Sequence, residues 1–138
     1  MSGSPLLWWD GFAVGLLLTC LIELPAYVFA FVTLGWCRLR ASPLWPLTMR
    51  SALGLALAIN LITHPMFWAV ARRLDGPAEL LAAELGVAVL EGLLIFAVVQ
   101  ARRGEDSRSS RLRWSLLTAV GVNTLSLLVG LVVLPLLI

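Results

Sequence analysis

Four ionisable side chains lie inside long apolar stretches of the chain: Glu23, His64, Glu84 and Glu91. An ionisable side chain at bilayer depth costs roughly 3 kcal/mol on insertion scales, so each of them requires a physical explanation. Intramembrane acids commonly belong to proton relays, ion pathways or ligand sites. The three carboxyls and the imidazole therefore predict a buried site that binds a proton, a cation or a polar ligand.

Uncharged polar residues repeat with helical spacing beside these groups. Asn60, Thr63 and His64 occupy positions i, i+3 and i+4, which share one face of a helix. Glu84 and Glu91 are seven residues apart and share a face in the same way. The other two polar stripes are Thr19, Glu23 and Tyr27, and Asn123 and Ser126. Because a polar stripe that faces lipid is unfavourable, we expect all the stripes to turn toward the interior.

The positions of these residues along their apolar segments predict two layers. The mid-membrane layer holds Glu23, Asn60, Glu91 and Asn123, with Tyr27, Thr63 and Ser126 in supporting positions. His64 and Glu84 fall nearer the outer surface on segments that should be antiparallel neighbours. We therefore expect His64 and Glu84 to form a hydrogen-bonded pair.

Three other uses of these residues remain open. Taken singly, the uncharged residues are more typical of interhelical hydrogen bonds worth about 1 kcal/mol each, as in an accessory subunit. A membrane-embedded enzyme for a lipid or lipid-linked substrate would use His64 and Glu84 as acid and base, with Ser126, Thr63 or Cys20 as nucleophile, but no catalytic motif is present. A metal site is disfavoured because no dedicated ligand spacing occurs, and no metal or other cofactor is assigned.

The elements that position these groups are four apolar segments. The chain has 138 residues, of which 60% are hydrophobic, well above the level of soluble domains. The segments run over residues 6–34, 46–70, 77–101 and 114–138. Each exceeds the length of about 20 residues that crosses a hydrocarbon core as a helix. The sequence predicts an all-α, multi-pass membrane protein whose one domain, 1–138, is an antiparallel four-helix bundle.

Arginines set the expected orientation, because all ten basic residues are arginines. Eight of them flank the first and third connections: Arg38, Arg40, Arg50, Arg102, Arg103, Arg108, Arg111 and Arg113. The positive-inside rule then makes the polar loop 102–113 cytoplasmic and puts both termini outside. Arginines at helix ends contact anionic head groups, so the lipid bilayer, and no nucleic acid, is the expected partner.

Small and aromatic residues complete the pattern. Four pairs of small residues spaced four apart can bring helices close together, within one bundle or between copies: Gly54 and Ala58, Ala82 and Gly86, Ala88 and Gly92, and Ser126 and Gly130. The tryptophans near the segment ends are expected to form an interfacial belt: Trp8, Trp9, Trp36, Trp45, Trp68 and Trp114.

In outline, four short spans with a carboxylate, Glu23, in the first resemble the small multidrug-resistance antiporters. Beyond Glu23 no further residues match that family, and the polar second span Asn60-Leu-Ile-Thr-His-Pro65 has no counterpart in it. From the residues themselves we expect a small protein of the plasma (inner) membrane that binds and passes a proton or cation, with small-solute coupling as an option. Because one four-helix copy is narrow for a pathway, a homo-oligomer or a larger membrane partner is expected. An enzymatic activity is less expected.

The arginine distribution makes the orientation testable. In a chain that lacks Cys20 and Cys37, a cysteine placed at position 107 should react with an impermeant maleimide only from the cytoplasmic side. Labelling from outside in intact cells would contradict the orientation and reverse the depths assigned to His64 and Glu84.

Overall fold

The structure is a computed structural model that describes residues 5–38, 47–101 and 108–137, with side chains described over 12–37, 47–101 and 108–132. Its elements are α1 (Pro5–Thr33), β1 (Cys37–Arg38), β2 (Leu47–Thr48), α2 (Met49–Ala71), α3 (Pro77–Ala101) and α4 (Arg108–Leu137). Each of the four helices is long and apolar enough to cross a membrane. The predicted helical bundle with four span-length helices is therefore confirmed.

The helices pack in chain order, and α4 closes the bundle against α1. Neighbours run in opposite directions. Phe12, near the start of α1, lies 6.0 Å from the Trp68 ring near the end of α2. Arg108, the first residue of α4, stands 6.0 Å from the Phe96 ring near the end of α3. The short connections produce this up-down-up-down order, because they leave no length for a crossover.

The end of α1 is a glycine-terminated turn. Gly35 has a φ of 67°, a left-handed conformation that glycine adopts without steric cost. The Trp36 amide donates to the Phe31 carbonyl at 2.7 Å, as in a Schellman motif. The turn brings Trp36 back onto the helix, where its ring lies 6.1 Å from that of Phe31. The prediction of Trp36 as an interfacial belt residue is therefore wrong, because Trp36 is buried.

The following strand pair is small and leads into α2. Cys37 and Arg38 pair in parallel with Leu47 and Thr48. Thr48 then caps α2, since its hydroxyl accepts from the Ser51 amide at 3.2 Å and the Ser51 hydroxyl accepts from the Thr48 amide at 2.8 Å. This capping box starts α2 at Met49, three residues after the predicted boundary.

The fourth helix is longer than predicted, because it starts at Arg108 and not at residue 114. The segment from Arg108 to Arg113 contains no proline or glycine that would stop a helix. Arg111 in this segment is only 6% exposed. Half of the predicted loop 102–113 is thus helix, and its other half lies outside the described residues, as do the side chains of Trp8, Trp9 and Trp45.

The two halves of the bundle differ in packing. We call the end that carries β1 and β2 the sheet end, and the opposite end, at Phe12 and Trp68, the cavity end. Toward the sheet end the interior is a continuous apolar core that contains Tyr27, Phe31, Trp36, Cys37, Leu47, Ala52, Ala56, Ile59, Ile95, Val99, Ala119 and Val122. Toward the cavity end the interior holds a cavity that polar and apolar side chains line together.

The pairs of small residues serve different surfaces. Ala88 and Gly92 are buried in the bundle, and a Cβ atom at Gly92 would lie 2.9 Å from the Leu116 Cα atom. Gly54 and Gly86, with their pair partners Ala58 and Ala82, lie on the exposed surface. The packing inside the bundle therefore uses one of these pairs to bring α3 close to α4.

A matched pair of glycine substitutions tests this contact. Gly92→Ala should lower the free energy of unfolding by about 1–3 kcal/mol, because the new methyl group overlaps the α4 backbone. A Cβ atom at Gly86 would have no neighbour within 4 Å. Gly86→Ala should therefore be neutral or stabilising, since alanine favours a helix. Unfolding of the two variants in detergent is the measurement, and equal effects would contradict the close approach of α3 and α4.

Candidate functional site

A cavity of about 330 Å³ lies between the four helices in the half of the bundle that ends at Phe12 and Trp68. Its polar lining residues are Thr19, Glu23, Asn60, Thr63, His64, Glu84, Glu91, Asn123 and Ser126. The polar stripes that the sequence analysis identified on the four helices thus converge on one space. Tyr27, the remaining member, reaches the same group of residues through a hydrogen bond to Glu91.

The Glu91 carboxyl on α3 is the centre of the hydrogen-bond network and is only 1% exposed. Its Oε1 atom accepts from the Thr63 hydroxyl on α2 at 2.6 Å. Its Oε2 atom accepts from the Asn123 amide on α4 at 2.5 Å and from the Tyr27 hydroxyl on α1. Three neutral donors from three different helices therefore surround a carboxyl that has no salt bridge among the described residues.

The Thr63 hydroxyl limits the arrangement of protons around Glu91. The Thr63 Oγ1 atom lies 2.6 Å from Glu91 Oε1 and 2.9 Å from the Ile59 carbonyl. A hydroxyl has one proton, so Thr63 can donate to only one of these oxygens at a time. When Glu91 is ionised, Thr63 donates to it; when Glu91 is protonated, Glu91 donates to Thr63 and Thr63 donates to Ile59. The site can therefore hold Glu91 in either protonation state without moving a helix.

The Glu23 carboxyl on α1 faces the same cavity but is less well satisfied. It is 3% exposed, and Asn60 and Ser126 are its polar neighbours. Its Oε2 atom is buried and accepts no hydrogen bond from the described residues. The Asn60 Nδ2 atom donates to the Ala56 carbonyl at 3.1 Å, whereas the Asn60 Oδ1 atom is buried with no donor among those residues. When Glu23 is ionised, two adjacent side chains thus have acceptor atoms without donors among the described residues, whereas a proton on Glu23 is itself a donor.

The charges in the cavity are unbalanced. Glu23, Glu84 and Glu91 all line it, and Glu91 interacts electrostatically with each of the other two. No arginine is among the described lining residues. Ionised carboxylates in a space of low dielectric repel one another strongly. The site therefore favours an occupant with positive charge, which can be a proton on a carboxyl or a bound cation.

His64 has a different partner from the predicted one. Its Nε2 atom accepts a hydrogen bond from the Trp68 Nε1 atom at 2.9 Å, and the Phe12 backbone is a second partner. Glu84 lines the same cavity but forms no hydrogen bond with His64 in the described structure. The predicted His64–Glu84 pair is therefore wrong, because the i, i+4 neighbour Trp68 reaches the imidazole within the same helix.

Sequence reasoning missed two residues at this end of the cavity. The sequence analysis predicts Trp68 in the interfacial belt, although its spacing of four from His64 indicates the contact that forms. Gly15 allows α1 to approach this pair, since a Cβ atom there would lie 3.3 Å from the Trp68 ring and 3.5 Å from the His64 Nε2 atom. The leucine-rich sequence around Gly15 does not distinguish this residue from other helical glycines. Its contact with Trp68 and His64 was therefore not predictable from the sequence.

Two other uses of the cavity, metal binding and acid–base catalysis, depend on how its ligands and its histidine are arranged. Within the described part of the chain, no three His, Cys, Asp or Glu side chains are placed to hold a metal ion. The His64 Nε2 atom accepts from Trp68 and the Thr63 hydroxyl contacts Glu91, so His64 and Thr63 do not form a pair of base and nucleophile. Comparison with known protein families, with curated proteins and with solved structures finds no match in any of the three.

A double-mutant cycle measures the hydrogen bond between Tyr27 and Glu91. Tyr27→Phe should lower the free energy of unfolding by about 1–3 kcal/mol, because a buried carboxyl loses a donor. The loss should be smaller in a Glu91→Gln background, since a neutral amide needs that donor less. Thr33→Val, which removes an exposed hydroxyl bonded to Ala30, is the control and should have little effect. Equal effects of Tyr27→Phe in both backgrounds would contradict the coupling.

Proposed function

We propose that the chain is a multi-pass integral membrane protein that binds a proton or a small cation between Glu23 and Glu91 and passes it across the membrane. One observation carries the proposal: two almost fully buried carboxyls face one cavity whose described lining holds no arginine. A buried carboxyl without a basic partner is unfavourable unless a proton or cation accompanies it. At Glu23, a protein that needed the group only for packing could use a neutral amide at lower cost.

The distribution of side chains supports residence in a membrane. Large apolar side chains face outward, and Leu21 is 74% exposed and Phe29 is 70% exposed. Polar side chains face inward, including Asn60, Thr63 and Asn123. In water this distribution would expose an extensive apolar surface, whereas in lipid it is favourable. We assign the protein to the plasma membrane because its arginines flank the first and third connections, which the positive-inside rule places in the cytoplasm.

Directional access follows from the difference between the two halves of the bundle. The cavity reaches toward the end at Phe12 and Trp68, while the other half is filled by apolar side chains such as Phe31, Ile59 and Ile95. With both termini outside, the cavity faces the exterior. A proton or cation bound at Glu23 and Glu91 passes inward only when the core at the sheet end opens. Tyr27, which belongs to that core and donates to Glu91, links occupancy of the site to its packing.

Association with further copies is compatible with this site. All the acids belong to one chain, so an oligomer is not needed to complete the cavity. The exposed pairs Gly54 with Ala58 and Ala82 with Gly86 offer surfaces on which helices of another chain can pack closely. We therefore place the partner, a second copy or a larger membrane protein, on the outer faces of α2 and α3 and not at the acids.

Paired measurements on Glu23→Gln and Glu91→Gln test the function. Each amide keeps the shape of the side chain but cannot exchange a proton, so proton or cation flux in proteoliposomes should fall at least about tenfold. Unfolding in detergent should be unchanged or shifted toward stability for Glu23→Gln, since a buried ionisable group is removed without a cavity. Glu91→Gln should keep its fold but lose about 1–3 kcal/mol, because its amide nitrogen cannot accept from the donors around it. Glu79→Gln, at an exposed position in the first turn of α3, is the matched control.

Two outcomes of these measurements would decide against the proposal. Flux that is unchanged in both buried variants would leave helix packing as the role of the polar residues. Absence of flux in the wild-type protein, combined with turnover of a lipid substrate, would favour the membrane-embedded enzyme.

A further inference from the structure

We infer that His64 and Trp68 form a latch at the cavity end of the bundle, which is closed while the imidazole is neutral and opens when the imidazole takes a proton. The latch goes beyond the proposed function, because it does not depend on which ion or molecule the cavity holds. Three features carry the inference: the direction of one hydrogen bond, the packing of the pair against α1, and its position in the cavity wall.

The hydrogen bond between the two rings has only one possible direction. An indole has one N–H donor and no acceptor, so the Trp68 Nε1 atom donates and the His64 Nε2 atom accepts at 2.9 Å. A ring nitrogen that accepts carries no proton, so the imidazole in this state is neutral. Once Nε2 is protonated, both imidazole nitrogens are donors. Protonation of His64 therefore replaces the bond to Trp68 by two N–H groups that face each other.

The pair is packed against the backbone of α1. A Cβ atom at Gly15 would lie 3.3 Å from the Trp68 ring and 3.5 Å from the His64 Nε2 atom, so both side chains lie where α1 has no side chain of its own. The Phe12 ring is 5.5 Å from the imidazole and 6.0 Å from the Trp68 ring. The Phe12 backbone is also the second hydrogen-bond partner of His64. The latch therefore joins α2 to α1.

Trp68 forms part of the cavity wall together with Gly15 and His64. Its side chain is only half-buried, so the ring has space on its outer side. Pro65 lies between the two latch residues and has no N–H, so α2 lacks the backbone hydrogen bond to the Leu61 carbonyl at this point. The segment that carries Trp68 is thus held less firmly than an uninterrupted helix. Release of the Trp68 ring therefore widens the cavity at this end.

The ionisable groups that line the cavity opposite His64 are all carboxyls: Glu23 on α1, and Glu84 and Glu91 on α3. The described part of α4 contributes no ionisable side chain to this lining. On α2 itself, Arg72 lies one turn beyond Trp68 and donates to the Trp68 carbonyl at 3.2 Å. A protonated imidazole is attracted to any of the three carboxyls that is ionised. A test of the latch must therefore separate the proton of His64 from those of the acids.

Fluorine NMR of the tryptophans reports the latch directly. The full-length chain is produced with fluorinated tryptophan, and the Trp68 resonance in detergent is identified by its absence from Trp68→Phe. Between about pH 8 and pH 5, where histidines change charge, this resonance should shift with a single midpoint, because the indole N–H loses its acceptor. A Trp68 resonance that does not move over this range overturns the inference.

Two variants assign the titration to the imidazole. His64→Gln keeps an oxygen that can accept from Trp68 but has no group that titrates, so the Trp68 resonance should stay at its alkaline position at every pH. Glu84→Gln should leave a titration of the Trp68 resonance in place, because the imidazole is still present. A shift that persists in His64→Gln comes from another group and overturns the latch, whether or not Glu84→Gln removes it.

Thiol labelling measures whether the latch controls access to the cavity. In a chain that lacks Cys20 and Cys37, Thr19→Cys places a thiol in the cavity wall, one helical turn beyond Gly15. At one fixed neutral pH, a small water-soluble thiol reagent should react about fivefold faster or more with His64→Leu, which has no acceptor, than with His64→Gln; that factor corresponds to the loss of one hydrogen bond.

Glu79→Cys, at an exposed position, is the control and should react equally in both His64 variants. Equal rates at position 19 in the two variants would overturn the control of access by the latch. If His64→Leu does not fold, the titration of the wild type against His64→Gln decides by itself.

The failure of this inference is distinguishable from failure of the proposed function, since neither measurement uses flux. If the Trp68 resonance titrates with His64 while Glu23→Gln and Glu91→Gln leave flux unchanged, the latch stands and the proposed function is overturned. If flux depends on the two acids while the Trp68 resonance does not titrate, the latch is overturned and the proposed function stands.

Discussion

The carboxyl of Glu91 is the point at which all four helices meet. It belongs to α3, and it accepts hydrogen bonds from Tyr27 on α1, Thr63 on α2 and Asn123 on α4. In an apolar interior each such bond is costly to lose, because neither water nor lipid replaces the donor. Rotating any helix about its axis would remove one of these donors. One side chain thus fixes the rotation of three neighbours, which contacts between apolar side chains specify less strictly than hydrogen bonds do.

This network separates two regions of different packing. Below Glu91, toward the sheet end, Tyr27 stacks on Phe31 with a distance of 5.9 Å between ring centroids, and that aromatic pair continues into the apolar core. Above it, the helices enclose a cavity instead of a packed core. A dense core resists deformation, whereas a cavity tolerates exchange of its contents. The boundary between the two lies at an ionisable group, because Glu91 lines the cavity and accepts from Tyr27 of the core.

Glu23 and Glu91 are both buried acids, but their surroundings give them different roles. Glu91 has a donor for each oxygen, so its environment stabilises the group in place. Glu23 faces the same cavity with a buried oxygen that has no donor among the described residues. Groups left unsatisfied in an otherwise complete network are places where an occupant gains most from binding. The difference makes Glu91 the structural anchor of our proposal and Glu23 its exchange site.

Span number, span length and the inward orientation of the polar stripes followed from the sequence alone, because the cost of polar atoms in an apolar medium acts on each helix separately. The convergence of Glu23, Asn60, Glu91 and Asn123 on one space was predictable for that reason. Local chemistry could not select between partners at similar distance, so the sequence predicts a pair of His64 and Glu84, whereas Trp68 donates to His64 in the structure. The burial of Trp36 depends on the turn at Gly35. The packing of one half of the bundle and the cavity in the other depend on how side chains from four helices fit together. Only the tertiary structure decided these features, because they arise from contacts between residues that are distant in the chain.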